Sequence, residues 1–159
     1  MTRRQHFSLF AIALMTIGLV GGVASPASAT ELLQLRLTAQ PAEPPVFDPA
    51  TSTLRLHLVG TGDSNVLGSF SVDTRVVQHV QQPCATTTTQ NIFTAEDGEL
   101  FMSGNDYVCS DGGGGSIIFG QWTITGGTGA YAGATGRGAR YGTFDGRVST
   151  VTFIGVLNR

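Results

Sequence analysis

The 159-residue sequence predicts an all-β domain with about seven or eight strands, folded as a closed antiparallel barrel or as a sandwich. Three observations lead to this fold class. Apolar and polar side chains alternate with a period of two residues along most of the chain. Glycine-containing turns separate these segments. No segment after the first 29 residues has the 3.6-residue period of a long helix.

The first 29 residues are typical of a secretory signal peptide. Arg3 and Arg4 are followed by an apolar run from Phe7 to Val23 and by the small residues Ala27-Ser28-Ala29. The apolar run is short for a bilayer-spanning helix, and glycines interrupt it. We therefore expect cleavage after Ala29, a mature protein that begins at Thr30, extracellular localisation, and no stable membrane anchor after cleavage.

The composition of the mature part excludes several classes of function. About 130 residues remain, which is enough chain for one domain with a core of its own. The mature part holds seven basic and eleven acidic residues, a net charge of about −4. This balance, without a basic cluster, argues against nucleic acid and anionic membranes as partners. All basic residues are arginine, so chemistry that needs a lysine is excluded.

The two cysteines, Cys84 and Cys109, are predicted to form a disulfide because the chain is directed to an oxidising compartment. Closing a loop of this length stabilises a small domain by roughly 3–4 kcal/mol. The competing interpretation is a catalytic thiol paired with a histidine, which would leave a free cysteine outside the cell.

Residues 30–52 are interpreted as an irregular lead-in, because residues 38–52 are rich in Pro, Ala and Thr without an apolar period. The barrel domain is then expected to span 53–159. Thr53–Val59 alternates with leucines on one face, and a second strand over Val66–Val77 places Phe70 and Val72 on its apolar face.

The remaining strands are separated by turn signals. Asp97-Gly98 favours a tight hairpin, residues 111–115 form a glycine-rich loop, and Asp145-Gly146 favours a terminal hairpin. In the segment that follows the glycine loop, Ile118, Trp122 and Ile124 share one face. The predicted strands are Thr86–Ala95, Leu100–Tyr107, Ser116–Thr125, Arg137–Phe144 and Val148–Leu157.

The glycine-rich stretch from Gly120 to Gly138 does not fit a phosphate-binding loop, because it has no Gly-Lys-Ser/Thr and no adequate helix follows. It indicates instead a strand end, a tight turn with positive φ, one helical turn and re-entry into a strand. We assign a structural role in this turn to Gly126, Gly127, Gly129 and Tyr131.

This stretch resembles the strand, GGTG-x-(F/Y), small residues, G-x-G, strand region of the allene oxide cyclase and dirigent barrels and of their bacterial secreted relatives. The resemblance implies an eight-stranded antiparallel barrel, frequently trimeric, with Tyr131 as a plug at one end. It also implies a hydrophobic small molecule that is bound or cyclised in the barrel, without a metal or organic cofactor. The catalytic residues of these families cannot be aligned with this sequence.

Ligand-binding candidates are therefore chosen by chemistry alone: Trp122, Tyr107 and Arg140. Asp73, Glu99, Asp106 and Arg75 also carry suitable groups, but we expect these four, like Tyr107 and Arg140, to be solvated surface residues. Trp122 is expected mainly in the core. His57 and His79 have no partner at metal-site spacing, so no metal site is predicted.

Two functions remain open. The first is a secreted barrel that binds a hydrophobic small molecule and guides its cyclisation or stereoselective coupling by shape, as a cofactor-independent cyclase or isomerase if it is an enzyme. The second is a non-catalytic secreted structural or interaction domain whose barrel is filled by its own side chains. Eight-stranded barrels accommodate either arrangement, so the inward-facing residues discriminate between the two functions.

Overall fold

In a computed structural model, which describes residues 29–159, the chain forms nine β-strands and one short 3₁₀ turn. The strands are β1 Thr30–Pro41, β2 Val46–Asp48, β3 Thr53–Ser64, β4 Gly68–His79, β5 Cys84–Ala95, β6 Gly98–Ser110, β7 Ser116–Gly127, β8 Thr135–Phe144 and β9 Ser149–Asn158; the 3₁₀ turn spans Gly129–Tyr131. The predicted signal peptide falls almost wholly outside the described residues, and its cleavage after Ala29 stays a prediction.

Eight of these strands form a closed antiparallel barrel. Hydrogen bonding runs in the order β1-β9-β8-β7-β6-β5-β4-β3, and β3 pairs with β1 to complete the ring. β1 reaches β3 only from Leu58 to Ser64, while β2 pairs with Thr53–Arg55 on the same side of β3. β2 is thus an added strand that covers part of the β3 edge left free by β1. Of the two predicted architectures, the barrel is the observed one.

The interpretation of residues 30–52 as an irregular lead-in is wrong for its first half, because β1 is a barrel strand. Leu33, Leu35 and Leu37 point into the barrel, and the residues between them are exposed. The alternation is visible in the sequence, but the Pro- and Ala-rich residues that follow it favour an irregular segment. β1 is also the strand that closes the barrel, since without it both β9 and β3 would have open edges.

The other strand assignments are confirmed, with ends that move by a few residues. Phe70 and Val72 of β4 are buried. In β7, Trp122 and Ile124 are buried, whereas Phe119, on the opposite face of the strand, is exposed. The period-two pattern therefore identified which face of each strand points into the barrel.

The two ends of the barrel differ. What we call the filled end carries the β3–β4 and β5–β6 turns and the segment 128–134. Phe70, Phe93 and Phe153 meet there edge to face, with ring centroids 5.4 and 5.7 Å apart. The side chains that pack the filled half include Leu33, Leu35, Leu67, Phe70, Phe93, Leu100, Trp122, Tyr131, Phe153 and Leu157. What we call the open end carries the segment 42–52 and the loops 80–83, 111–115 and 145–148.

The glycine-rich turn lies at the filled end. Gly126 and Gly129 have positive φ, +154° and +57°, as the turn was expected to require. Gly127 is needed for a different reason, since a Cβ atom there would lie 2.5 Å from the backbone oxygen of Tyr131. The predicted helical turn is the 3₁₀ turn that ends at Tyr131, whose side chain is only 1% exposed.

Cys84 and Cys109 are bonded to each other, as predicted. They are also register partners, so the disulfide joins β5 to β6 at the open end. Among residues 29–159 there is no free cysteine, and no helix is long and apolar enough to cross a membrane.

Removing this disulfide is expected to lower the free energy of unfolding by about 2–4 kcal/mol, because the reduced unfolded chain gains conformational freedom. Urea unfolding of Cys109→Ser measures the loss. Cys84→Ser/Cys109→Ser is the control, which removes any effect of an unpaired thiol. An unchanged unfolding midpoint in the double variant would contradict the prediction.

Candidate functional site

The barrel interior near the open end contains a cavity of about 200 Å³. Its walls come from inward-facing positions of all eight barrel strands. Apolar side chains dominate these walls: Leu37, Ala39, Leu54, Leu56, Leu58, Val76, Val108, Ile118, Phe144, Val151 and Phe153. Leu54, Leu56, Val108 and Ile118 are only partly buried, so this part of the cavity is reached by solvent from the open end.

A layer of polar side chains lies deeper in the cavity. Asp106 of β6 and Arg140 of β8 form a bidentate ion pair, in which Nε and Nη2 of Arg140 donate to the two carboxylate oxygens. Both side chains are almost completely buried. Arg140 Nη2 also donates to the hydroxyl of Thr89 at 2.6 Å, and its guanidinium lies 5.4 Å from the ring centre of Phe153.

Two inward glycines make room for this ion pair. A Cβ atom at Gly104 would lie 2.8 Å from the guanidinium carbon of Arg140, and one at Gly120 would lie 2.3 Å from a carboxylate oxygen of Asp106. Gly120 is the register partner of both Asp106 and Arg140. The glycines of β6 and β7 therefore provide the space in which a buried pair of this size fits.

The electrostatics of the pair are governed by burial. Loss of water raises the pKa of the Asp106 carboxyl, and the hydrogen bonds and positive charge of Arg140 oppose this rise. Among the described residues that line the cavity, Asp106 and Arg140 are the only charged ones. Because they neutralise each other, the cavity carries no net charge.

A chain of hydrogen bonds continues from the ion pair around the barrel wall. The amide nitrogen of Asn91 donates to Thr89 Oγ1 and to the backbone oxygen of Met102, each at 3.4 Å. The hydroxyl of Thr74 donates to the amide oxygen of Asn91 at 3.0 Å. These buried polar groups therefore satisfy one another.

Thr87 is the exception. It points inward from β5, lines the cavity and is 6% exposed. Its hydroxyl is the one buried side-chain polar atom in the described part of the chain with no hydrogen-bond partner. A buried polar group in this condition costs a protein about 1–3 kcal/mol.

Of the three ligand-binding candidates from the sequence, one lies at the cavity and two do not. Arg140 lines the cavity. Trp122 does not: it is 1% exposed, packs in the filled half, and donates its indole N–H to the backbone oxygen of Ala139 at 2.9 Å. Tyr107 is 52% exposed on the outer face of β6, where it stacks on Phe119, so it lies outside the cavity.

The expectation that Asp106 and Arg140 are solvated surface residues is wrong. Asp106 has the same strand parity as Leu100 and Met102, and Arg140 has the same parity as Phe144, so each points inward. This parity was the signal that could have placed both residues in the barrel. The expectation rested instead on the general rule that charged side chains are mostly exposed to solvent.

The other charged candidates are on the outside, as expected. The side chains of Asp73 and Arg75 are 43% and 60% exposed, and Asp73 Oδ2 accepts a hydrogen bond from His57 Nε2 at 2.7 Å. Glu99 is partly buried on the outer face of β6, near Thr94. His79 lies beside Thr53 at the strand end. Residues 29–159 hold no group of three or more His, Cys, Asp or Glu side chains arranged to bind a metal ion.

No protein-family model matches the chain, and no curated protein is significantly similar to it. The resemblance of the glycine-rich stretch to the allene oxide cyclase and dirigent barrels therefore remains a hypothesis.

Proposed function

We propose that the protein is a secreted barrel that takes up a small, mainly apolar molecule through its open end. The cavity carries this proposal, because one half of the barrel is packed with large side chains while the other half is lined by smaller apolar and polar ones. Small-molecule sites are typically concave and apolar, with a few placed polar groups.

The size of the cavity restricts the ligand. Pockets for drug-sized ligands typically hold about 300–1,000 Å³, and an apolar cavity of about 150 Å³ accommodates benzene. A cavity of about 200 Å³ therefore suits a single ring or a short chain, or one end of a longer molecule that extends through the open end.

A cyclisation or stereoselective coupling would be guided by confinement. The walls would hold a flexible substrate in one folded conformation and exclude water from it, which favours ring closure without a strong acid or base. The resemblance to the cyclase and dirigent barrels supports this reaction class. The cavity supports it by combining apolar walls with a fixed polar layer.

Filling the cavity tests the proposal. Ile118→Trp is expected to abolish binding of small apolar probes, such as ethylbenzene, because the indole would occupy the space that the ligand needs. Two-dimensional NMR titration of the exported protein measures the binding. The fold is expected to persist, since the new side chain enters an existing space.

The matched control is Ile117→Trp. Ile117 is the preceding residue of β7 and is exposed on the outer face, so this variant adds the same side chain outside the barrel. It is expected to bind the probe like the unaltered protein. Equal binding by both variants would show that the ligand is not held in the cavity, and absence of binding in the unaltered protein would favour a non-catalytic interaction domain.

The natural ligand can be sought directly. Native mass spectrometry of the protein secreted by its own organism is expected to show a retained small molecule, and it reports the oligomeric state in the same spectrum. Loss of the added mass in Ile118→Trp, but not in Ile117→Trp, would assign that molecule to the cavity.

A further inference from the structure

We infer that the ligand enters the cavity with an uncharged polar group foremost, a hydroxyl or a carbonyl that hydrogen-bonds to Thr87, and that its apolar part faces the open end. This inference rests on the proposed function and specifies the chemical class of the ligand.

Thr87 is positioned to receive such a group. It lies in register between Gln78 of β4 and Asp106 of β6, at the level of the polar layer. Thr87 lines the cavity, and its buried hydroxyl has no protein partner within residues 29–159. A ligand that pairs with this hydroxyl removes a penalty that the protein otherwise carries.

The neighbouring polar groups are already engaged. The carboxylate of Asp106 accepts two hydrogen bonds from Arg140, and Asn91 is bonded to Thr74, Thr89 and a backbone oxygen. Among the buried polar atoms of the described residues, the Thr87 hydroxyl is therefore the one left to pair with the ligand. Since a hydroxyl both donates and accepts, it can bind either an alcohol or a carbonyl.

The charge of the polar layer argues against an ionised ligand. Asp106 and Arg140 neutralise each other, so a buried carboxylate or ammonium would add a charge without a counter-ion. Moving such a charge out of water is strongly unfavourable. An uncharged polar group avoids this penalty.

The packed half of the barrel leaves the apolar part of the ligand room only in the direction of the open end. Phe93 packs the barrel below the polar layer, and Phe153 lies beside Arg140 at the level of that layer. Most of the walls above it are leucine, valine and isoleucine side chains. The ligand thus lies with its polar end towards the barrel centre and its apolar end towards Leu54 and Ile118, at the open end.

Three probes of nearly equal size test this orientation: benzyl alcohol, ethylbenzene and benzoate. Each is titrated by NMR into the exported protein and into Thr87→Val, which removes the hydroxyl and preserves the shape. In Thr87→Val, the preference for benzyl alcohol over ethylbenzene is expected to fall by about 3- to 10-fold, the effect of one neutral hydrogen bond. Benzoate is expected to bind the unaltered protein at least about tenfold more weakly than benzyl alcohol.

Two further variants serve as controls. Thr87→Ser retains a hydroxyl and is expected to keep the preference, and Thr88→Val changes the exposed neighbour on the outer face and is expected to have no effect. Ligand-free Thr87→Val is expected to melt at a higher temperature than the unaltered protein, because it no longer buries an unpaired hydroxyl.

The outcomes separate the two proposals. Binding of ethylbenzene with an unchanged alcohol preference in Thr87→Val would overturn the inference and leave the proposed function in place. Tighter binding of benzoate would also overturn it, and would indicate that Arg140 receives an anion. If none of the three probes binds, the proposed function itself fails.

Discussion

Replacing Arg140 with methionine is expected to lower the free energy of unfolding at neutral pH by about 3–5 kcal/mol, the range for breaking a buried ion pair by removing one partner. The substitution leaves the carboxylate of Asp106 buried without the two hydrogen bonds that it accepts from Arg140. Urea unfolding measures the loss. Arg75→Met, which removes an exposed arginine from the outer face, is the control and is expected to change stability by less than about 1 kcal/mol.

The deficit in Arg140→Met is expected to depend on pH. Burial raises the pKa of Asp106, and the variant lacks the guanidinium that opposes the rise. A carboxyl whose pKa is raised in the folded state favours folding at low pH, and this contribution is lost as the pH increases through the folded-state pKa. The stability difference between the variant and the unaltered protein should therefore be smaller near about pH 4 than near about pH 8.

The double variant Asp106→Leu/Arg140→Met distinguishes the effect on stability of removing the whole ion pair from the effect of removing one partner. Replacing a whole buried ion pair with apolar side chains of similar volume is often neutral or stabilising. We expect the double variant to recover most of the stability lost in Arg140→Met. A double variant as unstable as the single one would mean that the pair contributes net stability of its own.

The sequence predicted the barrel strands better than it predicted the contents of the barrel. Alternation in β3, β4 and β7 is a local property, so Leu54, Phe70 and Trp122 could be assigned to the inner face without knowledge of the fold. The same alternation places Leu33, Leu35 and Leu37 on the inner face of β1.

The cavity depends on information that is not local. Which inward residues lie at the same height is set by the register of all eight strands and by the strand shift around the barrel. Asp106 and Arg140 are 34 residues apart, and neither segment alone shows that the other supplies its counter-charge. Gly104 and Gly120 make room for the pair, but this role can be recognised only when the register of the strands is known.

Division of the barrel into a packed half and a hollow half separates stability from binding. The aromatic side chains that meet around Phe93 form the apolar core of the filled half, while β5 and β6 are tied together at the open end by the disulfide. A cavity weakens the packing of its own walls, because the lining atoms have contacts on one side only. The disulfide lies at the same end as the cavity. Substitutions at filled-half residues that do not line the cavity, such as Tyr131, should therefore affect stability more than the shape of the cavity.

Tyr131→Ala at the filled end is expected to reduce the free energy of unfolding by about 3–5 kcal/mol, as for other large aromatic side chains that are truncated in a core. The Tyr131 ring is almost fully buried, and the guanidinium of Arg159 lies over it at 5.7 Å. Tyr131→Phe keeps the ring and should cost much less, and Tyr141→Ala, which truncates an exposed tyrosine, is the control. Urea unfolding gives the stabilities, and benzyl alcohol titration gives the binding. If Tyr131→Phe were as stable as the unaltered protein but no longer bound the probe, the phenolic hydroxyl would have a role in the site, and the interpretation of Tyr131 as a packing residue would be wrong.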